Sequence, residues 1–202
     1  DPYGVLSRIF KRKAVPATIH HLVGREVLDS RGNPTVEVDV YANHLGHVEF
    51  AGRSSAPSGA STGSGEACEL RDKESPRYGG KGTLTASNNV TTKLSPAVAG
   101  MSFESLKAID DKLCETDGDV LKKNLGGNAI TATSFAVAEA AAALNEEQLF
   151  EYLARQFWGA NVPKKFKLPS PFFNILNGGK HAGGNLKIQE FMVSPARDRP
   201  FP

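Results

Sequence analysis

Two loops in this sequence carry residue types able to do chemistry. Asn174-Ile175-Leu176-Asn177-Gly178-Gly179-Lys180-His181-Ala182-Gly183-Gly184-Asn185-Leu186-Lys187-Ile188-Gln189-Glu190-Phe191-Met192 joins two strand-like apolar runs through a glycine-dense loop with one histidine, and an acid stands in the second run. A loop with four glycines can close over a ligand because its backbone reaches torsions that other residues resist. Earlier, Ala56-Pro57-Ser58-Gly59-Ala60-Ser61-Thr62-Gly63-Ser64-Gly65 lies between a strand pattern and a helical one. Its hydroxyls and backbone amides can hold a phosphate at a helix N-terminus or give a hard cation its oxygen ligands. A Ser/Gly-rich connection also serves as a plain flexible turn, and no lysine follows the second glycine as a P-loop requires.

The elements that must position these loops are readable from periodicity. Thr18 to Asp29 and Thr35 to Tyr41 alternate apolar and polar residues, with Val36, Val38 and Val40 on one face and Glu37, Asp39 and Tyr41 on a wet one. Turn residues fall at Ser30–Pro34 and at His44–His47, before a third run, Val48 to Ala51, so the pattern predicts a three-stranded antiparallel meander. Helical spacing is predicted over Gly65–Lys73, Leu84–Ala99, Phe103–Glu115, Ile130–Leu144 and Glu146–Phe157, with Asn145 and Gln148 as the capping pair that opens the last helix. Small side chains from Ala136 to Ala143 let a helix pack close to its neighbour. A linker with Pro163, Lys164, Lys165 and Pro169 leads to the two final strands. Strands first and helices afterwards indicate an α+β fold.

Composition excludes several classes. The 202 residues carry 24 basic and 22 acidic side chains, a net charge of +2, so no basic stripe of the kind nucleic acid needs is present; the short runs at Arg8–Lys13 and Lys164–Lys167 read as solvated faces. The longest apolar stretch, Phe135 to Leu144, is interrupted by Glu139 and is too short to cross a bilayer. Cys68 and Cys114 are too few for a disulfide framework or a zinc site, which suits a reducing, cytoplasmic setting, and they are expected as buried small apolar residues.

Four segments in one order then carry a resemblance: Asp29-Ser30-Arg31-Gly32-Asn33-Pro34-Thr35-Val36-Glu37, Ser58-Gly59-Ala60-Ser61-Thr62-Gly63, Leu125-Gly126-Gly127-Asn128-Ala129-Ile130 and the loop from Asn174 to Met192. Together they resemble the enolase family across residues 18–195. The resemblance implies an enolase N-terminal-like capping domain over residues 17–160 and, over 161–202, a linker and the opening strands of an incomplete enolase-type barrel. It implies dehydration of 2-phospho-D-glycerate to phosphoenolpyruvate with Mg2+, where positive charge is concentrated because proton removal beside a carboxylate creates a dianionic species. Ser61 would be a magnesium ligand, and Ala60, His181, Gln189 and Glu190 would contact substrate. His181 would lie near the phosphate end, and Glu190 would belong to the carboxylate pair that handles the departing hydroxyl. Arg25 and Glu37 match positions that pair across a homodimer interface; without the partner subunit's half both are expected to be exposed.

By the same resemblance, the lysine base, the three carboxylates of the first magnesium and the second member of the carboxylate pair are not among these residues. A (β/α)8-type barrel takes about 250 residues, and only about 35 follow the linker here, so the chain alone is expected to be inactive and to expose the apolar faces of Phe172–Leu176 and Lys187–Val193. Two departures from the family pattern, Gly65 and Gly127, are expected to loosen their loops. Residues 1–16 form an extension in which Tyr3, Leu6, Ile9 and Phe10 fall at helical spacing. It resembles the docking element of some ciliary proteins; the same spacing also fits an amphipathic tail packed on its own domain. The alternative expectation is therefore a catalytically incomplete subunit of a cilium or flagellum axoneme, docked in an assembly that covers the open strands.

Overall fold

The computed structural model describes residues 17–59, 63, 65–179, 182 and 184–196. These divide into two compact units: the first holds 17–58 and 65–162, the second Gly59, Gly63, 163–179, 182 and 184–196. The proposed docking extension lies outside the described residues.

The first unit is α+β, as the order of patterns predicts. Strands β1 (Thr18–Leu28), β2 (Pro34–His44) and β3 (His47–Ser55) form an antiparallel meander in sequence order. Both turns follow from local chemistry. Asp29 N–H donates to Asn33 O at 2.8 Å and Gly32 takes φ +75°. Leu45 and Gly46 sit at φ 51° and 84°, the left-handed pair that suits the twist of a two-residue hairpin.

Four helical segments follow the sheet. α1 (Leu84–Asn89) runs through a wider π turn (Val90–Leu94) into α2 (Ser95–Val98), and then come α3 (Leu106–Asp117), α4 (Gly127–Leu144) and α5 (Leu149–Trp158). Ser105 caps α3, its Oγ accepting from Ala108 N–H at 3.2 Å, and Gly118 ends it in the left-handed conformation. The core lies between the meander and these helices: Val36, Val38, Val40 and Ala42 on one side, Ala129, Ala132, Ala136, Val137 and Ala140 of α4 on the other, all fully buried. The alanine run allows the close approach the sequence suggested, and Gly52 of β3 completes it. A Cβ at Gly52 would lie 2.4 Å from Ala140 N and 2.9 Å from Ala136 O.

Several expectations need correction. Residues 65–73 are not helical. Their backbone is taken by tertiary partners: Cys68 N–H donates to Leu121 O, Cys68 O accepts from Gly127 N–H, and Asn128 brackets Leu70 with one bond to its N–H and one to its carbonyl. Helical propensity in so short a segment yields to that network. Gly127 consequently tightens rather than loosens its surroundings, since a Cβ there would meet Ala67 Cβ at 2.8 Å. Asn145 ends α4, with its Nδ2 on Ala141 O, and α5 is opened instead by a capping box of Gln148 and Glu151. Asp39 is only 1% exposed although it lies on the polar face, and Cys68 is half-buried and Cys114 exposed rather than both buried.

The second unit is built on a hairpin of β4 (Phe173–Asn177) and β5 (Glu190–Val193), which pair directly and antiparallel with an irregularity between Asn174 and Leu176. β5 begins three residues later than the apolar run from Lys187 suggests. Leu168, Phe172, Ile175, Leu176, Ile188 and Val193 are each more than half exposed, as expected for these apolar runs.

Candidate functional site

The glycine-dense loop is folded back at its base by its own backbone. Gly178 N–H donates to Gln189 O at 2.9 Å and Gly179 N–H to Leu186 O at 2.8 Å. A Cβ on Gly178 would meet Ile188 O at 2.4 Å, Leu186 O at 2.6 Å and Leu186 Cγ at 2.8 Å, so only glycine permits this approach. Gly179 and Gly184 adopt φ +61° and +126°. Within β4, Asn174 Nδ2 donates to Asn177 Oδ1 at 2.6 Å. Asn177 pairs with Glu190, the first residue of β5, so Glu190 stands where the hairpin opens into the loop. It is half-buried and Gln189 beside it is exposed. The structure thus brings Gln189 and Glu190 together at one end of the hairpin; Ala60, Ser61 and His181 lie outside the described residues.

The base of the Ser58–Gly63 loop has a defined anchor in the turn between β1 and β2. Asp29 Oδ1 accepts from the backbone N–H groups of Arg31 and Asn33, both at 2.8 Å. Its Oδ2 accepts from Ser58 Oγ at 2.9 Å and from Arg31 Nη2 at 3.3 Å. Arg31 Nη2 also donates to Ser58 O at 2.8 Å. Just before it, Ala56 is held by its N–H to Val36 O at 2.8 Å and by Thr35 Oγ1 on its carbonyl at 2.6 Å. Donation from Asn33 N–H is the chief cause that lowers the Asp29 pKa to about 2; partial burial opposes it, and Arg31 and Ser58 add to the lowering. A cleft of about 400 Å³ adjoins this anchor, lined in part by Leu28, Asp29, Arg31, Thr35, Ala56 and Ser58. The signal that could have revealed the anchor is the aspartate opening the Asp29–Pro34 turn, since Asp side chains bond the backbone two residues on.

A second cluster occupies the exposed side of the meander. Arg25 pairs with Glu37 at 3.1 Å and with Asp39, while Arg53 Nε and Nη2 reach Asp39 at 2.5 and 3.0 Å. Burial pushes the Asp39 carboxyl up, but hydrogen bonds from Arg53 and Arg25 outweigh it and hold the group below its usual value. Arg25 and Glu37 therefore satisfy one another within the chain, and Glu37 is 19% exposed rather than open to solvent. The Leu125–Ile130 motif is structural here: its Asn128 staples Leu70 to the start of α4.

Among the described residues no group of three or more His, Cys, Asp or Glu could hold a metal ion. Nor is any described helix long and apolar enough to cross a membrane.

Comparison with known proteins bears on most of the chain. The family model for the enolase N-terminal domain matches residues 19–153, and that for the enolase C-terminal TIM barrel domain matches residues 165–201. The enolase of Methanosarcina mazei is 50% identical over 177 residues, covering 88% of this chain and 39% of its own. The enolase of Methanosarcina acetivorans is 49% identical over 177 residues (88% and 38%), and enolase B of Dictyostelium discoideum 47% identical over 178 (88% and 38%). The chain spans less than two fifths of the length of these curated relatives.

Proposed function

The chain belongs to the enolase family, and we propose that it supplies the capping domain and the first barrel strands of a phosphopyruvate hydratase, which dehydrates 2-phosphoglycerate to phosphoenolpyruvate. The observation that carries this reading is identity of about one half to curated enolases over 88% of the chain, together with family models that match residues 19–153 and 165–201, the ranges that hold both loops and the turn that anchors the first. It favours a lyase over a purely structural subunit of an axoneme. Cytoplasmic placement goes with that reading.

In the proposed reaction a proton leaves the carbon beside a carboxylate and the hydroxyl on the next carbon departs as water. This chain would act on the second event. Glu190 would donate the proton that converts the leaving hydroxyl to water, a general-acid contribution of about 10²–10⁴-fold. Gln189, Ala60 and His181 would hold substrate, His181 at its phosphate end. The Gly178 turn supports this assignment by fixing where β5 begins. Magnesium, when bound, would stabilise negative charge developing on the substrate carboxylate; Ser61 would be this chain's ligand, and by the family resemblance the remaining ligands and the lysine base would be supplied by the rest of the barrel. Arg25 and Glu37, already joined at 3.1 Å, would present their outer edges to a second subunit.

The test is a phosphoenolpyruvate assay on two proteins: the 202-residue chain alone, and the same chain joined to the remaining part of the Methanosarcina mazei relative. We expect no turnover from the first and turnover from the second, lost by about 10²–10⁴-fold on Glu190→Gln. Wild-type turnover in the joined Glu190→Gln protein, or full turnover by the chain alone, refutes the assignment.

A further inference from the structure

The Asp29–Arg31–Ser58 anchor lies at the residue where the chain passes from one compact unit to the other, since Ser58 closes a segment of the first and Gly59 opens the second. We propose that Asp29 and Arg31 are positioning residues that fix Ser58, and through it the point from which the backbone runs on to Ala60 and Ser61. The inference rests on the functional reading of that loop given above.

Three features carry it. The hydroxyl and the carbonyl of Ser58 are both taken, the hydroxyl by Asp29 Oδ2 at 2.9 Å and the carbonyl by Arg31 Nη2 at 2.8 Å. Asp29 and Arg31 are themselves joined at 3.3 Å and locked into the β1–β2 turn by the Arg31 and Asn33 amides, so the grip comes from a rigid hairpin rather than from a mobile side chain. Ala56, two residues upstream, is held to β2 by two further bonds, so the grip on Ser58 carries that hold two residues further along the chain. Bonds to charged partners are the strong class, whereas a serine in a plain Ser/Gly connection needs none.

The experiment compares Ser58→Ala, Ser58→Thr and Asp29→Ala. In the 202-residue chain, backbone amide order parameters at Ser58 and Gly59 are expected near the rigid value of about 0.85 and to fall below about 0.6 in Ser58→Ala and Asp29→Ala. Ser58→Thr keeps the hydroxyl and is expected to restore them. In the joined protein, kcat/KM is expected to fall about tenfold in Ser58→Ala, with the thermal midpoint held within about 2 °C and recovery by threonine. Unchanged order parameters at Ser58 and Gly59 overturn the proposal. So does a kcat/KM loss that merely tracks a lower thermal midpoint, which marks a general structural role. Absence of enolase turnover in the joined wild-type protein is a separate result that removes the functional reading instead.

Discussion

Replacing Gly52 by alanine tests how the sheet is seated on its helix. The added Cβ would lie 2.4 Å from Ala140 N, 2.7 Å from Ala140 Cα and 2.9 Å from Ala136 O, all backbone atoms of α4. Ordinary contact begins at 3.4 Å, so α4 must withdraw by roughly 1 Å, a gap that forfeits a quarter to a half of each dispersion contact along its face. The residues that lose contact are Ala129, Ala132, Ala136 and Ala140 against Val36, Val38 and Val40, all fully buried. No side-chain rotation relieves the clash. The cost should therefore reach the upper part of the overpacking range, about 3 kcal/mol. For a chain of this size that lowers the thermal midpoint by roughly 6–12 °C, measured by circular dichroism with urea unfolding alongside. Gly65→Ala is the control, because nothing lies within 4 Å of a Cβ there. A Gly52→Ala midpoint within about 1 °C of wild type would falsify the packing argument.

Two further outcomes follow from the charged groups. Asp39→Ala removes a buried carboxylate that serves both Arg25 and Arg53. Breaking a fully buried pair costs about 3–5 kcal/mol, but the arginines are 36% and 48% exposed and water screens them, so about 2 kcal/mol is expected; a loss under about 0.5 kcal/mol in urea titration contradicts the arrangement. The Asp29 carboxyl, with its pKa near 2 in the fold and about 3.9 when unfolded, contributes stability that is fully present above pH ~4 and is lost as pH falls through about 2. Amide shifts of Arg31 and Asn33 followed by acid titration should stay flat to about pH 3, and a midpoint near 4 rules out the bonds described.

Much of the architecture was legible because its signals are local. The Val36-Val38-Val40 alternation, the Leu45-Gly46 turn and the alanine-rich run from 136 to 143 each state a geometry that a few neighbouring residues enforce. The predicted helix at 65–73 failed for the opposite reason: its backbone groups bond to Leu121, Gly127 and Asn128, which are remote in sequence. Strand alternation put Asp39 on the face opposite the valines, but could not show that Arg25 and Arg53 bury it there. In the candidate site, Gln189 and Glu190 were legible as residues, but their place was not. Only the antiparallel pairing with β4 puts Glu190 opposite Asn177 at the open end of the hairpin.

The sequence by itself determined the family, the order of strands and helices and the identity of the groups able to do chemistry, since motif spacing and periodicity are properties of short stretches of chain. The tertiary structure alone decided which backbone approaches forbid a side chain, as at Gly52 and Gly178, and what holds the two ends of a loop. Asp29 and Ser58 stand 29 residues apart, and a hydrogen bond across such a separation exists only once β1, β2 and β3 have paired. Closing that distance takes the burial of the Val36–Ala42 row against α4, a cooperative term that no local pattern contains.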